Sequence, residues 1–328
     1  MITAARRKHL RKLFSSYGVF IFSCQEECHV SSVKLPLFTG CATALVTPFL
    51  PDGSLDLPAL KRLITRQLDA GVDALVLLGT TGEPSTLSMD ERETVIRTSM
   101  EMAAGHIPVI VGTGSNDTRR VIEYALQAKR LGAQGQLCVT PYYNKATQSG
   151  LIRHFSAILD ACSLPMILYN VPSRTCVSLS AQTVAALAKH PNIAGIKEAS
   201  GSVSYAADIL HAAGDGLPMY CGNDDAITAL MSLGALGAIS VCSNILPIQT
   251  KALVHACMSG CYDEARNMQL ALLPLIRLLF SQVNPIPAKA ALHMMGLSHD
   301  VLRLPLTPME EPQRGELHDL LSHAHLIP

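Results

Sequence analysis

Eight short, continuously apolar runs recur between residues 42 and 241, and helix-like segments separate them. The runs do not alternate apolar with polar residues, which is typical of strands buried on both faces in a parallel sheet. A strand and a helix about every 30 residues indicate βα units. We predict strands over Ala42–Thr47, Ala74–Leu78, Pro108–Gly112, Gln136–Thr140, Met166–Asn170, Ile193–Glu198, Met219–Gly222 and Ala238–Val241.

Eight such units in roughly 200 residues describe a (β/α)8 barrel, or TIM barrel. A doubly wound α/β sheet is the competing interpretation, but no Gly-x-Gly-x-x-Gly motif follows the first strand. Beyond the eighth strand the sequence predicts only helices, broken at Pro274 and at residues 284–287. We therefore assign residues 37–244 to the barrel and residues 245–328 to a C-terminal helical appendage.

Residues 1–36 differ from the rest of the chain. Several basic residues precede a short apolar stretch, Leu13 to Cys24, as in a secretory signal peptide. Three polar residues then follow, and no small-x-small cleavage site precedes them. We interpret residues 1–36 as a disordered extension, or as the product of a start codon assigned too early. A signal peptide is the alternative.

Charge and cysteine usage restrict the partners and the compartment. The 26 basic and 26 acidic side chains cancel, so there is no electrostatic basis for binding nucleic acid or an anionic membrane. No apolar run reaches the roughly 18 residues of a membrane span. Most of the ten cysteines stand alone in apolar runs, which fits a reducing cytoplasm. The Cys24/Cys28 and Cys257/Cys261 spacings are only weakly metal-like, because no second pair lies at the right distance.

In a TIM barrel the catalytic groups lie at the C-terminal ends of the strands. Here those positions carry hydroxyl groups, one lysine and one arginine, over residues 80–83, 141–144, 169–174 and 197–198. They contain no histidine cluster and no set of three carboxylates for a metal. We therefore predict covalent chemistry without a metal or a cofactor.

Lys197 is the predicted nucleophile. It ends a buried strand, where desolvation favours the neutral amine that attacks a ketone to form an imine. The alternative is a lysine that extends to solvent and pairs with Glu198. Tyr169 ends the neighbouring strand and favours catalysis, because its phenol can relay a proton. A tyrosine that only packs its ring is the commoner case for such a residue taken alone.

Two further groups are suited to binding carboxylates. Thr80 and Thr81 lie in a glycine-flanked turn whose N–H groups and hydroxyls can bind a small carboxylate, although any tight βα loop needs glycine. Arg174 follows the fifth strand and offers a planar guanidinium for a second carboxylate. Its alternative role is a weak surface salt bridge.

Four motifs carry a family resemblance: residues 79–83 (GTTGE), 140–144 (TPYYN), 168–175 (LYNVPSRT) and 195–200 (GIKEAS). With them the chain resembles the dihydrodipicolinate synthases (4-hydroxy-tetrahydrodipicolinate synthases) of the N-acetylneuraminate lyase superfamily, from about residue 38 to about residue 308. The first and last motifs mark the superfamily. The motif carrying Arg174 marks the synthases.

The resemblance implies a reaction. Lys197 would condense with pyruvate, and the enamine would add to aspartate-4-semialdehyde, giving a cyclised product in lysine and diaminopimelate biosynthesis. Thr80, Tyr143 and Tyr169 would form the proton relay, with Tyr143 entering the site from a neighbouring subunit. A homo-oligomer follows, with a dimer as the smallest active unit and a dimer of dimers as the expected assembly.

The resemblance also implies binding roles. Thr81 would hold the pyruvate carboxylate, Arg174 would hold that of the aldehyde, and the backbone at Ile239 would line the pocket. Two alternatives stay open: a sister aldolase, acting on sialic acid or a 2-keto-3-deoxy sugar acid, and a barrel that binds a keto acid without catalysis. The sister aldolase would need several hydroxyl partners where Arg174 supplies one cation.

Inhibition by lysine is the family property from which this sequence departs. Aligned with lysine-sensitive members, Arg120 takes the place of a glutamate that meets the lysine ammonium, and Met89 and Arg92 occupy positions that are histidine in some of them. Asn116 and Tyr142 are retained, which predicts that the cleft exists. Because an arginine repels an ammonium group, we predict that lysine does not inhibit.

Overall fold

The eight strands pair in parallel and in chain order, and the last pairs with the first to close a barrel. This arrangement is seen in a computed structural model that describes residues 34–214 and 216–327. It confirms the predicted (β/α)8 fold. The strands are β1 (Gly40–Ala44), β2 (Ala74–Leu77), β3 (Val109–Gly112), β4 (Gly135–Val139), β5 (Met166–Asn170), β6 (Ile193–Glu198), β7 (Met219–Cys221) and β8 (Gly237–Ser240).

The predicted bounds are correct for β5 and β6 and differ by one to three residues for the other strands. The largest error is at β1, which was predicted to end at Thr47 but ends at Ala44. The residues after Ala44 are still buried, and Leu45 N still donates to Val76 O over 2.9 Å. Burial therefore continues beyond regular pairing, so an apolar run alone does not mark the end of a strand.

Helices connect the strands and cover the outside of the barrel, and several begin at a residue whose side chain caps the first turn. Ser88 and Glu91 form a capping box at the start of α2, for example. The helices through β8 are α1 (Leu57–Asp69), α2 (Met89–Ala103), α3 (Thr118–Arg130), α4 (Gln148–Ala161), α5 (Pro172–Thr175), α6 (Ala181–Ala188), α7 (Val203–Ala213) and α8 (Ile227–Ser232).

Four helices follow the barrel: α9 (Pro247–Met258), α10 (Tyr262–Leu279), α11 (Ile286–Met294) and α12 (Gln313–His323). The predicted break between α10 and α11 is present, but the predicted break at Pro274 is wrong, because α10 continues through it. A proline frees the carbonyl four residues earlier, and that residue, Leu270, is 58% exposed. No helix within residues 34–214 and 216–327 is long and apolar enough to cross a bilayer.

The described chain begins with residues that pack at the N-terminal end of the barrel. Lys34 Nζ donates to the carbonyls of His190 and Ile193 over 2.5 and 2.7 Å. The Phe38 ring stacks on Tyr220, with 4.3 Å between centroids. The extension predicted over residues 1–36 therefore includes Lys34, which is bonded to the barrel, and its first 33 residues lie outside the described residues.

Candidate active site

Lys197 and Tyr169 lie side by side at the C-terminal ends of β6 and β5, where they are partners in the strand register. The Lys197 ammonium nitrogen lies 4.4 Å from the centroid of the Tyr169 ring. Both residues are buried, with exposed fractions of 5% and 6%. Within the described ranges, no carboxylate lies close enough to form an ion pair with Lys197. The interpretation of Lys197 as a solvent-exposed partner of Glu198 is therefore wrong.

Glu198 and Asn170, the next residue on each of these strands, face the opposite side of the sheet. Asn170 Nδ2 donates to Glu198 Oε2 over 2.9 Å, and Ser200 N donates to Glu198 Oε1 over 2.5 Å. Burial raises the pKa of the Glu198 carboxyl, against the effect of these hydrogen bonds. The bond between the two strands fixes the relative positions of the strand ends that carry Tyr169 and Lys197.

Gly222 leaves the space that the Lys197 side chain occupies. A Cβ atom built onto Gly222 would lie 2.9 Å from Lys197 Cε and 2.7 Å from the methyl group of Ala199. Because real Cβ contacts are longer than this, any larger residue at Gly222 would displace the amine. Gly222 is not among the site residues predicted from the sequence, although a glycine directly after a strand is a signal for such a close approach.

A cavity of about 480 Å³ opens beside these strand ends. Three of the predicted residues line it: Thr80, Tyr169 and Arg174. Three others are buried and do not line the cavity. Each of them contacts a residue that lines it, or packs in the same hydrophobic cluster as such a residue. Lys197 contacts Tyr169, Thr81 is bonded to Asn284, and Ile239 packs in the same interior cluster as Tyr169. The remaining predicted residue, Tyr143, is discussed below.

The turn that carries Thr80 and Thr81 is held from several directions. Residues Thr80–Gly82 form one 3-10 turn, which ends at Glu83 in the left-handed conformation (φ 50°). Thr47 Oγ1 donates to Gly82 O over 2.8 Å. The Glu83 carboxylate lies 2.5 Å from Lys289 Nζ of α11. The C-terminal helical region therefore helps to fix the turn.

Asn284 lies in the segment between α10 and α11 and lines the cavity. Its Nδ2 donates to Thr81 Oγ1 over 3.0 Å, and its main-chain carbonyl accepts from Arg174 Nη2 over 3.3 Å. Asn284 and Lys289 are not among the site residues predicted from the sequence. A lysine in the otherwise apolar helix α11 was the available signal.

Arg174 lies in the short helix α5, and its residue is exposed toward the cavity opening. Its guanidinium group forms no ion pair with any carboxylate of the described chain. The alternative of a surface salt bridge is therefore wrong. Apart from the bond to Asn284, its donors are available to a planar acceptor such as a carboxylate.

Tyr143 is not brought to the cavity of its own chain. It is 89% exposed and does not line the cavity, and its backbone is left-handed, with φ 74°. That conformation is uncommon for a bulky residue and costs energy of order 1–3 kcal/mol. The neighbouring loop residue Asn144 is tied to Asn116, with Nδ2 donating to the carbonyl over 3.0 Å.

The far wall of the cavity contains Arg120, Tyr124 and Tyr142. The Arg120 guanidinium lies 6.0 Å from the Tyr124 ring centroid and 3.1 Å from the Glu123 carboxylate. Arg92 is fully buried, stacks on the same ring at 3.8 Å and donates to Gly112 O over 2.8 Å. Burial lowers the pKa of Arg92 to about 10. Arg120 therefore places one cationic group on this wall, paired with Glu123, and Arg92 packs against the same ring without lining the cavity.

Comparisons with known proteins agree on one family. The profile of the Dihydrodipicolinate synthetase family matches residues 37–324. A 4-hydroxy-tetrahydrodipicolinate synthase of Exiguobacterium sibiricum is 50% identical over 291 residues, covering 89% of this chain and 96% of that relative.

Two similar solved structures were determined with ligands. The dihydrodipicolinate synthase from Acinetobacter baumannii, complexed with pyruvate, is 44% identical with a TM-score of 0.86, covering 88% of this chain and 99% of that one. The enzyme from Cyanidioschyzon merolae, with lysine bound, is 37% identical with a TM-score of 0.86, covering 89% of this chain and 100% of that one.

Proposed function

The chain belongs to the dihydrodipicolinate synthetase family, and on this basis we propose that it condenses pyruvate with aspartate-4-semialdehyde to give 4-hydroxy-tetrahydrodipicolinate. This is a Schiff-base lyase reaction of lysine and diaminopimelate biosynthesis. The observation that carries the proposal is the buried Lys197 amine in contact with the Tyr169 ring, because Tyr169 lines a cavity together with Thr80 and Arg174.

The reaction begins with attack of the neutral Lys197 amine on the pyruvate ketone, and loss of water gives an imine. Removal of a proton from the methyl group gives an enamine, whose carbon bonds to the aldehyde carbon of the second substrate. The amino group of that substrate then attacks the imine carbon, closes the ring and releases Lys197. Each step transfers a proton, and we assign these transfers to Tyr169, Thr80 and Tyr143.

The two substrate carboxylates need separate cation or hydrogen-bond partners. We assign the pyruvate carboxylate to Thr81, in the turn after β2, and the aldehyde carboxylate to Arg174. Two observations support this pairing. Both residues are bonded to Asn284, and the Arg174 guanidinium is not neutralised by a carboxylate of the described chain. The backbone at Ile239 is assigned to the wall of the site.

We propose that Tyr143 acts in the cavity of a neighbouring subunit, so that a dimer is the smallest active unit and a dimer of dimers the assembly. The 89% exposure of Tyr143 and its left-handed backbone support this, because a costly conformation that presents a large ring to solvent needs a compensating contact. We also propose a cytoplasmic location. All eight cysteines of the described residues are free, as is usual in a reducing compartment.

A borohydride trapping experiment tests the proposal. Wild-type protein incubated with pyruvate and borohydride should gain one reduced adduct per chain, on the peptide that contains Lys197. Lys197→Ala should lose the adduct and nearly all activity in a coupled assay with aspartate-4-semialdehyde, while the exposed control Lys189→Ala keeps both. An adduct on another lysine would refute the assignment. Faster turnover of a sialic acid or a 2-keto-3-deoxy sugar acid would favour the sister aldolases.

A further inference from the structure

Asn284 connects the two residues to which the substrate carboxylates are assigned, although it belongs to neither strand end. Its side chain bonds to Thr81, and its main-chain carbonyl bonds to Arg174. The residue is 5% exposed and lines the cavity, and Thr81 is 3% exposed. A substitution of the Asn284 side chain therefore removes the bond to Thr81 and leaves the acceptor of Arg174 in place.

The direction of the bond to Thr81 has a chemical consequence. An amide nitrogen can only donate, so the Thr81 oxygen is the acceptor and the single hydroxyl proton must point to another group. A substrate carboxylate accepts hydrogen bonds and cannot donate them. If the amide presented its oxygen to Thr81, that oxygen would accept the hydrogen bond from the hydroxyl group. Only the lone pairs of the Thr81 oxygen would then face the anion.

Among the described residues, the Asn284 side chain has no other hydrogen bond that would explain its burial. Its Oδ1 atom is buried and has no hydrogen-bond partner in residues 34–214 and 216–327. Leaving such an acceptor unpaired costs about 1–3 kcal/mol. Within the part of the chain that the structure describes, the bond to Thr81 is thus the one hydrogen bond of the Asn284 side chain, whose burial is otherwise unfavourable.

We propose that Asn284 is a positioning residue that fixes the Thr81 hydroxyl as a hydrogen-bond donor to the carboxylate of the keto acid bound at Lys197. The inference rests on the proposed function, because it requires a keto acid at this site. It extends that function by assigning affinity for the first substrate to a residue of the C-terminal region. Asn284 acts through Thr81, and Arg174 remains the partner of the second substrate.

The test measures how the borohydride-trapped adduct on Lys197 depends on pyruvate concentration, which requires no second substrate. Asn284→Ala and Thr81→Val should each raise the half-saturating pyruvate concentration by about tenfold or more, because a hydrogen bond to an anion is among the stronger ones. The double variant should show no further rise, because without the hydroxyl the amide has nothing to orient. The control Asn192→Ala, at the opposite end of the barrel, should match wild type.

Asn284→Asp provides a second variant of nearly the same shape. Its carboxylate would accept the hydrogen bond from the Thr81 hydroxyl, so the half-saturating pyruvate concentration should exceed that of Asn284→Ala at pH 8. That concentration should fall at lower pH, where the introduced carboxyl group is protonated. In coupled turnover, the KM for the aldehyde should change less than twofold in Asn284→Ala, because the main-chain acceptor of Arg174 is retained. A residue needed only for folding would not separate the two substrates in this way.

Other outcomes overturn the inference. Multiplicative effects in the double variant would show that Asn284 does not act through Thr81. An unchanged half-saturating concentration in folded Asn284→Ala would show that the amide does not position the donor. These results differ from failure of the proposed function, in which wild-type protein itself forms no adduct with pyruvate.

Discussion

Lys289 and Glu83 form a buried ion pair, and removing only one of the two charges with Lys289→Met should be strongly destabilising. The two side chains are 0% and 1% exposed, and their charged atoms lie 2.5 Å apart. Lys289 Nζ also donates to Val301 O over 2.8 Å and lies 4.1 Å from the centroid of the Phe49 ring. The substitution keeps an unbranched side chain that is one heavy atom shorter. Among the described residues, the Glu83 carboxylate then keeps the hydrogen bond from the Arg303 amide, 3.1 Å away, and the electrostatic attraction of the Arg303 charge.

The expected magnitude follows from burial. Removing one partner of a buried pair leaves an uncompensated charge and typically costs 3–5 kcal/mol, so we expect a loss of about 3 kcal/mol or more in the free energy of unfolding. Replacing both charges, in Glu83→Gln/Lys289→Met, should recover most of that loss, because it removes the buried charge altogether. The matched control is Arg97→Met. Arg97 and Glu93 form an exposed pair at 2.7 Å, for which about 0–1 kcal/mol is expected.

Urea unfolding at one fixed protein concentration measures these differences, because subunit association would otherwise add to the stability. The same variants should be tested for pyruvate trapping. The turn that carries Thr80 and Thr81 ends at Glu83, so Lys289→Met should also raise the half-saturating pyruvate concentration. The reasoning is refuted if Lys289→Met costs no more than Arg97→Met, or if the double substitution costs more than the single one.

Four further predictions follow from the site and from one buried histidine. Arg174→Ala should raise the KM for the aldehyde and lower turnover, at a cost of about 2–3 kcal/mol, with the pyruvate adduct intact; loss of the adduct would reverse the two carboxylate assignments. Tyr143→Phe should slow turnover without changing the urea midpoint, and mixing it with Lys197→Ala should restore some activity if subunits share sites; no recovery would place Tyr143 in its own chain's site. Lysine at millimolar concentration should leave activity unchanged, because Arg120 on the cavity wall repels the lysine ammonium group. Half-inhibition below about 1 mM, which corresponds to ~4 kcal/mol of binding free energy, would contradict this. Burial lowers the pKa of His154 from 6.5 to about 4, so protonation is disfavoured in the folded state and stability should fall as the pH drops from 6.5 towards 4. His154→Gln should flatten this pH dependence of the free energy of unfolding. An equally steep loss of stability in the variant would assign the dependence to other groups.

The amino-acid sequence alone determined the barrel and the central pair of its site. Strands buried on both faces leave an apolar pattern that is local and periodic, so eight of them could be recognised without knowing their partners. Their order then followed from the rule that consecutive βα units lie side by side. That rule placed Lys197 next to Tyr169, as the register of β5 and β6 shows. The ends of the strands were less certain, because burial continues beyond the last paired residue.

Only the tertiary structure decided what holds the site in place. Asn284 contacts Thr81 across 203 residues of sequence, and Lys289 contacts Glu83 across 206. No local pattern encodes such contacts, because they depend on how the C-terminal helices pack over the strand ends. The same holds for Tyr143, whose motif is recognisable but whose exposure is set by the conformation of its loop. Periodicity specifies elements and their neighbours, whereas the partners of a buried polar group are specified by packing in three dimensions.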